Sequence, residues 1–133
     1  MINQILTSKD IADLSRRPDA EARTAAGRKV SEYYGTAEIS ETGKKLAEDI
    51  FRIMVKDVEV KVREALSESL KNYKNIPRDI VESLINDKDS VAIPFIKYYQ
   101  DLTKEDLINI IEMQNINKQI AVAGRPGLSG DIS

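Results

Sequence analysis

Carboxylates, amines, guanidinium groups and hydroxyls are the side chains with chemistry to offer here: 22 acidic and 20 basic residues stand beside no histidine and no cysteine. Thiol nucleophiles, thiolate zinc sites and disulfides are excluded, and so is the commonest general base and metal ligand. Asp87-Lys88-Asp89 has the opening of a calcium loop. Its sixth position, however, is Ala92 where the sharp turn needs glycine, and its twelfth is Tyr98 where a bidentate glutamate belongs. No metal is expected, and Asp87 or Asp89, with Ser90, reads as a helix cap. Ser67, Ser69 and Ser129 have neither a histidine base nor a Gly-x-Ser-x-Gly elbow. Gly124-Arg125-Pro126-Gly127 reads as a helix stop and turn, and no phosphate-binding glycine loop is present. Glu48, Asp49, Glu82 and Glu112 fall on helices that would share one surface if stacked, which leaves two-carboxylate hydrolysis open. No cofactor is implied.

Arg23 and Arg63 occupy matching repeat positions, so they line an anion-binding strip or, as the commoner outcome, pair with carboxylates such as Asp57 and Glu59. The tyrosine pairs Tyr33-Tyr34 and Tyr98-Tyr99 suit stacking on a partner or a base, but their register with Tyr73 and Leu70 assigns them to packing. The basic pairs Arg16-Arg17, Arg28-Lys29 and Lys44-Lys45 are interleaved with acids and read as solvated faces.

The elements that position these residues are helices, because apolar residues recur at three- and four-residue steps and no strand alternation persists. Thr7 with Asp10 forms a capping box for a first helix ended by Arg17-Pro18, and Asp19 caps a second that runs to Tyr34 with an alanine-rich face and a stop at Gly35. Ile39-Ser40 opens a third, with Leu46, Ile50, Phe51, Met54 and Val55 as its stripe, although Gly43 in its first turn costs about 1 kcal/mol against alanine. Asp57 caps a fourth with Val62, Ala65, Leu66 and Leu70 inward, and Pro77 stands at the first position of a fifth with Ile80, Val81, Leu84 and Ile85 inward. A sixth buries Val91, Phe95, Tyr98 and Tyr99. Thr103 and Asp106 box the start of a seventh that buries Leu107, Ile108, Ile110 and Ile111. An eighth, from Asn117 to Gly124, presents Ile120 and Ala123, and Leu128-Ser129 begins a ninth.

These helices repeat. Leu6-Thr7, Ile39-Ser40, Ile76-Pro77, Leu102-Thr103 and Leu128-Ser129 each place an apolar residue before a helix start. Val62, Ala65 and Leu70 match Val91, Pro94 and Tyr99, then Ile120, Ala123 and Leu128, at a step of 29, and Ala22, Ala25 and Val30 extend the series. In this frame Asp87 to Glu112 is one helical hairpin and the middle copy. Self-similarity on this scale marks a solenoid whose hairpins bury their apolar faces on their neighbours. The runs DVEVKVREALSESL, IPRDIVESLINDKDSVAIPFI, LTKEDLINII and QIAVAGRPGLS, within Leu46 to Ser133, resemble an alphaproteobacterial HEAT-like-repeat domain family of unknown function. The fit weakens over Ala20 to Lys45. The resemblance implies a fold and no functional residues, and members of that family continue through further helices.

The expected architecture is all-α: a right-handed superhelical stack of HEAT-like hairpins with about eight helices, one repeat domain over 1–133 forming the N-terminal part of a longer protein. The expected function is non-catalytic, a scaffold for protein–protein interaction. Its concave face, lined by the second helix of each hairpin, would carry Lys44, Glu48, Arg78, Glu82, Lys104, Asn109 and Glu112. Their mixed signs and a net charge of -2 favour a protein partner over nucleic acid. The alternative is a HEAT-like nucleic-acid binder or a DNA glycosylase-type enzyme using an acid such as Asp49. No signal segment or membrane span is evident, and a cytoplasmic location is expected. The last repeat should expose apolar surface around Ile116 and Ile120 that favours self-association.

Overall fold

The computed structural model describes residues 19–36 and 38–126. The first expected helix, with Thr7 and Asp10, and the ninth, with Leu128 and Ser129, lie outside them. The described residues form seven α-helices and no strand: α1 Ala20–Tyr34, α2 Glu41–Met54, α3 Val60–Leu70, α4 Arg78–Ile85, α5 Asp89–Tyr98, α6 Lys104–Glu112 and α7 Ile116–Ala123. The chain divides into two compact units, one ending at Ser69 and the other beginning at Leu70.

Short polar side chains start the helices where the sequence places them. Asp19 accepts from the Glu21 N–H at 3.0 Å and Ser40 from the Gly43 N–H at 3.0 Å. Thr103 and Asp106 form a complete capping box, with Thr103 Oγ1 accepting from the Asp106 N–H and Asp106 Oδ2 from the Thr103 N–H. Two assignments change. Pro77, expected at the first position of α4, is its cap residue, and the helix starts at Arg78. Lys88 holds the cap position of α5 without a side-chain bond, while Asp89 is already helical and turns its carboxylate to Asn115 and Asn117 at 2.8 and 2.9 Å.

In the first unit α1 packs on α2. The close approach is made by Gly27 and not by the alanine face. A Cβ at Gly27 would overlap the Met54 thioether, whereas Ala25 is exposed and Ala22 and Ala26 are half-buried. Gly43 is buried beneath the Tyr33 hydroxyl in the same manner. Tyr34 meets Phe51 edge-on, ring centroids 5.1 Å apart, and its hydroxyl donates to Glu48 at 2.8 Å.

The second unit is built of two hairpins, α4–α5 and α6–α7, with α5 also packed along α7. The hairpin expected over Asp87 to Glu112 is therefore displaced by one helix. The three-residue turns 86–88 and 113–115 fold neighbouring helices back on each other. After α5 the chain instead leaves in extended conformation at Tyr99 (φ -66, ψ 124), and α5 packs little against α6. Ile80, Val81, Leu84 and Ile85 are all buried, as is the α5 set Val91, Ala92, Phe95, Ile96 and Tyr99. Tyr98 is exposed.

The burial pattern departs from the register expected from the sequence. The step of 29 is kept from Val62, Leu66, Ser67 and Leu70 to Val91, Phe95, Ile96 and Tyr99. It falls to 26 at the next copy, where Lys118, Ala121 and Val122 are buried and Ile120 and Ala123 are exposed. Ala92, Phe95 and Ile96 are thus the counterparts of Lys118, Ala121 and Val122. In α1 the matching residues are Val30, Ser31 and Tyr34, one turn away from the frame that aligned Val30 with Leu70.

Candidate functional site

The seven residues expected on one face divide between the two units. In the first, Lys44 and Glu48 lie one turn apart on α2, both half-buried, and Glu48 is occupied by the Tyr34 hydroxyl. In the second, Arg78 starts α4 and pairs with the buried Asp106 at the start of α6. Glu82, Lys104, Asn109 and Glu112 are exposed on α4 and α6. Two of the seven thus hold structural contacts.

Arg23 and Arg63, the candidates for an anion-binding strip, hold structural contacts. Arg23 reaches Asp57 with Nε at 2.7 Å and Nη2 at 3.0 Å, a bidentate pair with both side chains largely covered. Burial pushes the Asp57 carboxyl up, but the Arg23 guanidinium and the Glu59 N–H outweigh it and hold the group below the usual carboxylate range. Arg63 donates to the Asp57 carbonyl at 2.6 Å. The arginines are thus engaged with the α2–α3 turn. Asp49 is exposed beside Arg52, 3.0 Å away. No group of three acidic, histidine or cysteine side chains is placed to hold a metal among the described residues. No described helix is long and apolar enough to cross a membrane.

A shallow hollow of about 540 Å³ in the first unit is lined by Glu21, Thr24, Arg28, Lys61, Glu64 and Glu68. Ala65 completes its wall, and the charged side chains around the rim have both signs. In the second unit the exposed Tyr98 ring has the Lys71 and Lys97 ammonium groups 4.7 and 5.4 Å from its centroid. Lysine stems therefore cover much of this aromatic surface.

Two features escaped sequence reasoning. The first is a row of cationic and amide ties between the hairpins. Lys118 Nζ donates to the Ile85 and Asp87 carbonyls at 3.0 and 2.7 Å, closing the end of α4, and is buried there. Arg125 Nη1 does the same for α5 through the Ile96 and Tyr99 carbonyls at 2.6 and 2.8 Å, and burial pushes its guanidinium down from its ordinary value. The second is the extent of the apolar outer face, expected only around Ile116 and Ile120 and in fact continued onto α6. Ile108 and Ile111, expected inside, are 45% and 48% exposed, while Ile116 and Ile120 are 68% and 63% exposed. The step of 26 is the signal that finds this face, since it puts isoleucine at 108 and 116 where the preceding hairpin has the exposed Glu82 and Ser90.

No protein-family model, no curated protein and no solved structure matches the chain.

Proposed function

We propose that this chain is a helical-repeat scaffold, a stack of HEAT-like hairpins that binds another protein and performs no chemistry of its own. The hairpins 76–99 and 102–125 support the repeat reading: they share one burial pattern and are joined side by side through Arg78, Asn115, Lys118 and Arg125. The observation that carries the binding reading is the set of four exposed isoleucines on α6 and α7, because so much large apolar side chain left in water on one hairpin is costly unless something covers it. A protein suits that face better than a phosphate backbone. The charges beside it, Lys104, Glu105 and Glu112, have both signs, and the whole chain carries -2. The nucleic-acid reading would need a basic groove around an acid such as Asp49, and the nearest cation, Arg52, is already paired with it.

A photo-crosslinking residue placed at Ile120 tests the proposal, with Val58, an 86% exposed apolar residue in the other unit, as the control position. Protein adducts are expected at 120, with suppression by Ile116→Glu, and none beyond background at 58. Equal labelling at both positions, or none at either, overturns it.

A further inference from the structure

We infer that the isoleucine face of the α6–α7 hairpin binds a second copy of this chain, with the two α6 helices antiparallel about a two-fold axis. The inference deepens the scaffold reading and rests on it for treating this face as an interacting one.

Register shows what the face is not built for. Ile85 is 3% exposed, with Lys118 of the next hairpin on its carbonyl, and its counterpart Ile111 would be reached in the same way by one further hairpin in the same frame. Ile108 and Ile116 would not be, because their counterparts Glu82 and Ser90 stay exposed although a hairpin is docked beside them. A cover that buries all of these isoleucines must arrive over α6 from another direction.

The charges on α6 specify that cover. Lys104, Ile108, Ile111 and Glu112 fall at i, i+4, i+7 and i+8 and so form one stripe, apolar at its centre and oppositely charged at its two ends. Both charges stand at the wrong end of their own helix: a cation in the first turn and a carboxylate in the last each oppose the helix dipole. Neither has an ion-pair partner among the described residues. A two-fold contact requires that residue i meet j of the partner while j meets i. Reversing one stripe against another meets that requirement, setting Lys104 against the second copy's Glu112 at each end, about 12 Å apart along the axis, with Ile108 against the second copy's Ile108 midway between. Ile116 and Ile120, one turn apart on α7, widen the apolar centre.

Sedimentation velocity of the full chain over a hundredfold range of concentration provides the test, with circular dichroism to verify that each variant keeps its helices. All the substituted residues are exposed. A monomer–dimer equilibrium is expected, with Ile108→Glu abolishing the dimer. Lys104→Glu and Glu112→Lys should each weaken self-association about tenfold, since symmetry counts every contact twice. Mixing those two variants should restore association, because one then presents two acids and the other two bases. A chain monomeric at every concentration overturns the inference, as does a dimer indifferent to Ile108→Glu or a mixture no tighter than its components. A monomer that still forms adducts with a different protein from position 120 loses this inference and keeps the scaffold reading.

Discussion

An Asp106→Ala substitution removes two acceptors from the core of the second unit at once. The side chain is 5% exposed, accepts from the Thr103 N–H at 2.9 Å and pairs with Arg78. Losing its half of the capping box costs about 0.5–2 kcal/mol. Arg78 keeps half of its side chain in water, so its unpaired guanidinium is resolvated and the lost pair costs about 0.5–1 kcal/mol. The total is about 1–3 kcal/mol, or roughly 4–12 °C in melting temperature for a chain of this size. Asp106→Asn keeps an acceptor for Thr103 and should lose about half as much. The pH dependence follows from the native carboxyl. Burial pushes it up, but the Arg78 guanidinium and the Thr103 N–H outweigh burial and hold it below the usual range. The unfolded chain therefore binds the extra proton first. The stabilisation is complete above the unfolded value, near ~4, and is lost as pH falls through the depressed native value. Urea denaturation followed by circular dichroism should show the full Asp106→Ala deficit at neutral pH and a smaller one once both forms are protonated. A deficit below about 0.5 kcal/mol, or one independent of pH, would refute the assignment.

Gly43→Ala should destabilise by about 1–2 kcal/mol despite the better helix propensity of alanine, because the new methyl displaces the Tyr33 hydroxyl, and adding Tyr33→Phe should recover much of the loss in thermal melts. Lys118→Met keeps the aliphatic stem but leaves the Ile85 and Asp87 carbonyls without their donor. It should cost about 1–3 kcal/mol and raise amide exchange around the α4–α5 turn, and neither change would appear if the ammonium were idle.

Helix identity and caps were legible because they are local: Asp19, Ser40 and Thr103 accept from amides two or three residues away. The register was not. Steps of 29 and 26 differ by three residues, close to one turn, so both align apolar residues with apolar residues. The frame that matches burial also sets Lys118 against Ala92, a match that hydrophobic periodicity rejects. Lys118 is tolerated inside because two main-chain carbonyls meet its ammonium, a partnership made across 31 and 33 residues. The run Leu107-Ile108-Asn109-Ile110-Ile111 is apolar nearly all round, so the buried side of α6 could not be separated from the exposed one. The face expected from Lys44 to Glu112 failed to show in the sequence that Glu48 and Arg78 already have internal partners, since Tyr34 and Asp106 lie 14 and 28 residues away.

The ties from Lys118 and Arg125 run backward along the chain, from a later hairpin to the helix ends of an earlier one. During synthesis α4 and α5 are complete well before either cation exists, so their last carbonyls must rely on water until about thirty further residues have emerged. The earlier hairpin is finished only retroactively. A chain ending between Glu112 and Lys118 would carry α4 and α5 with both of their C-terminal ends still unlatched.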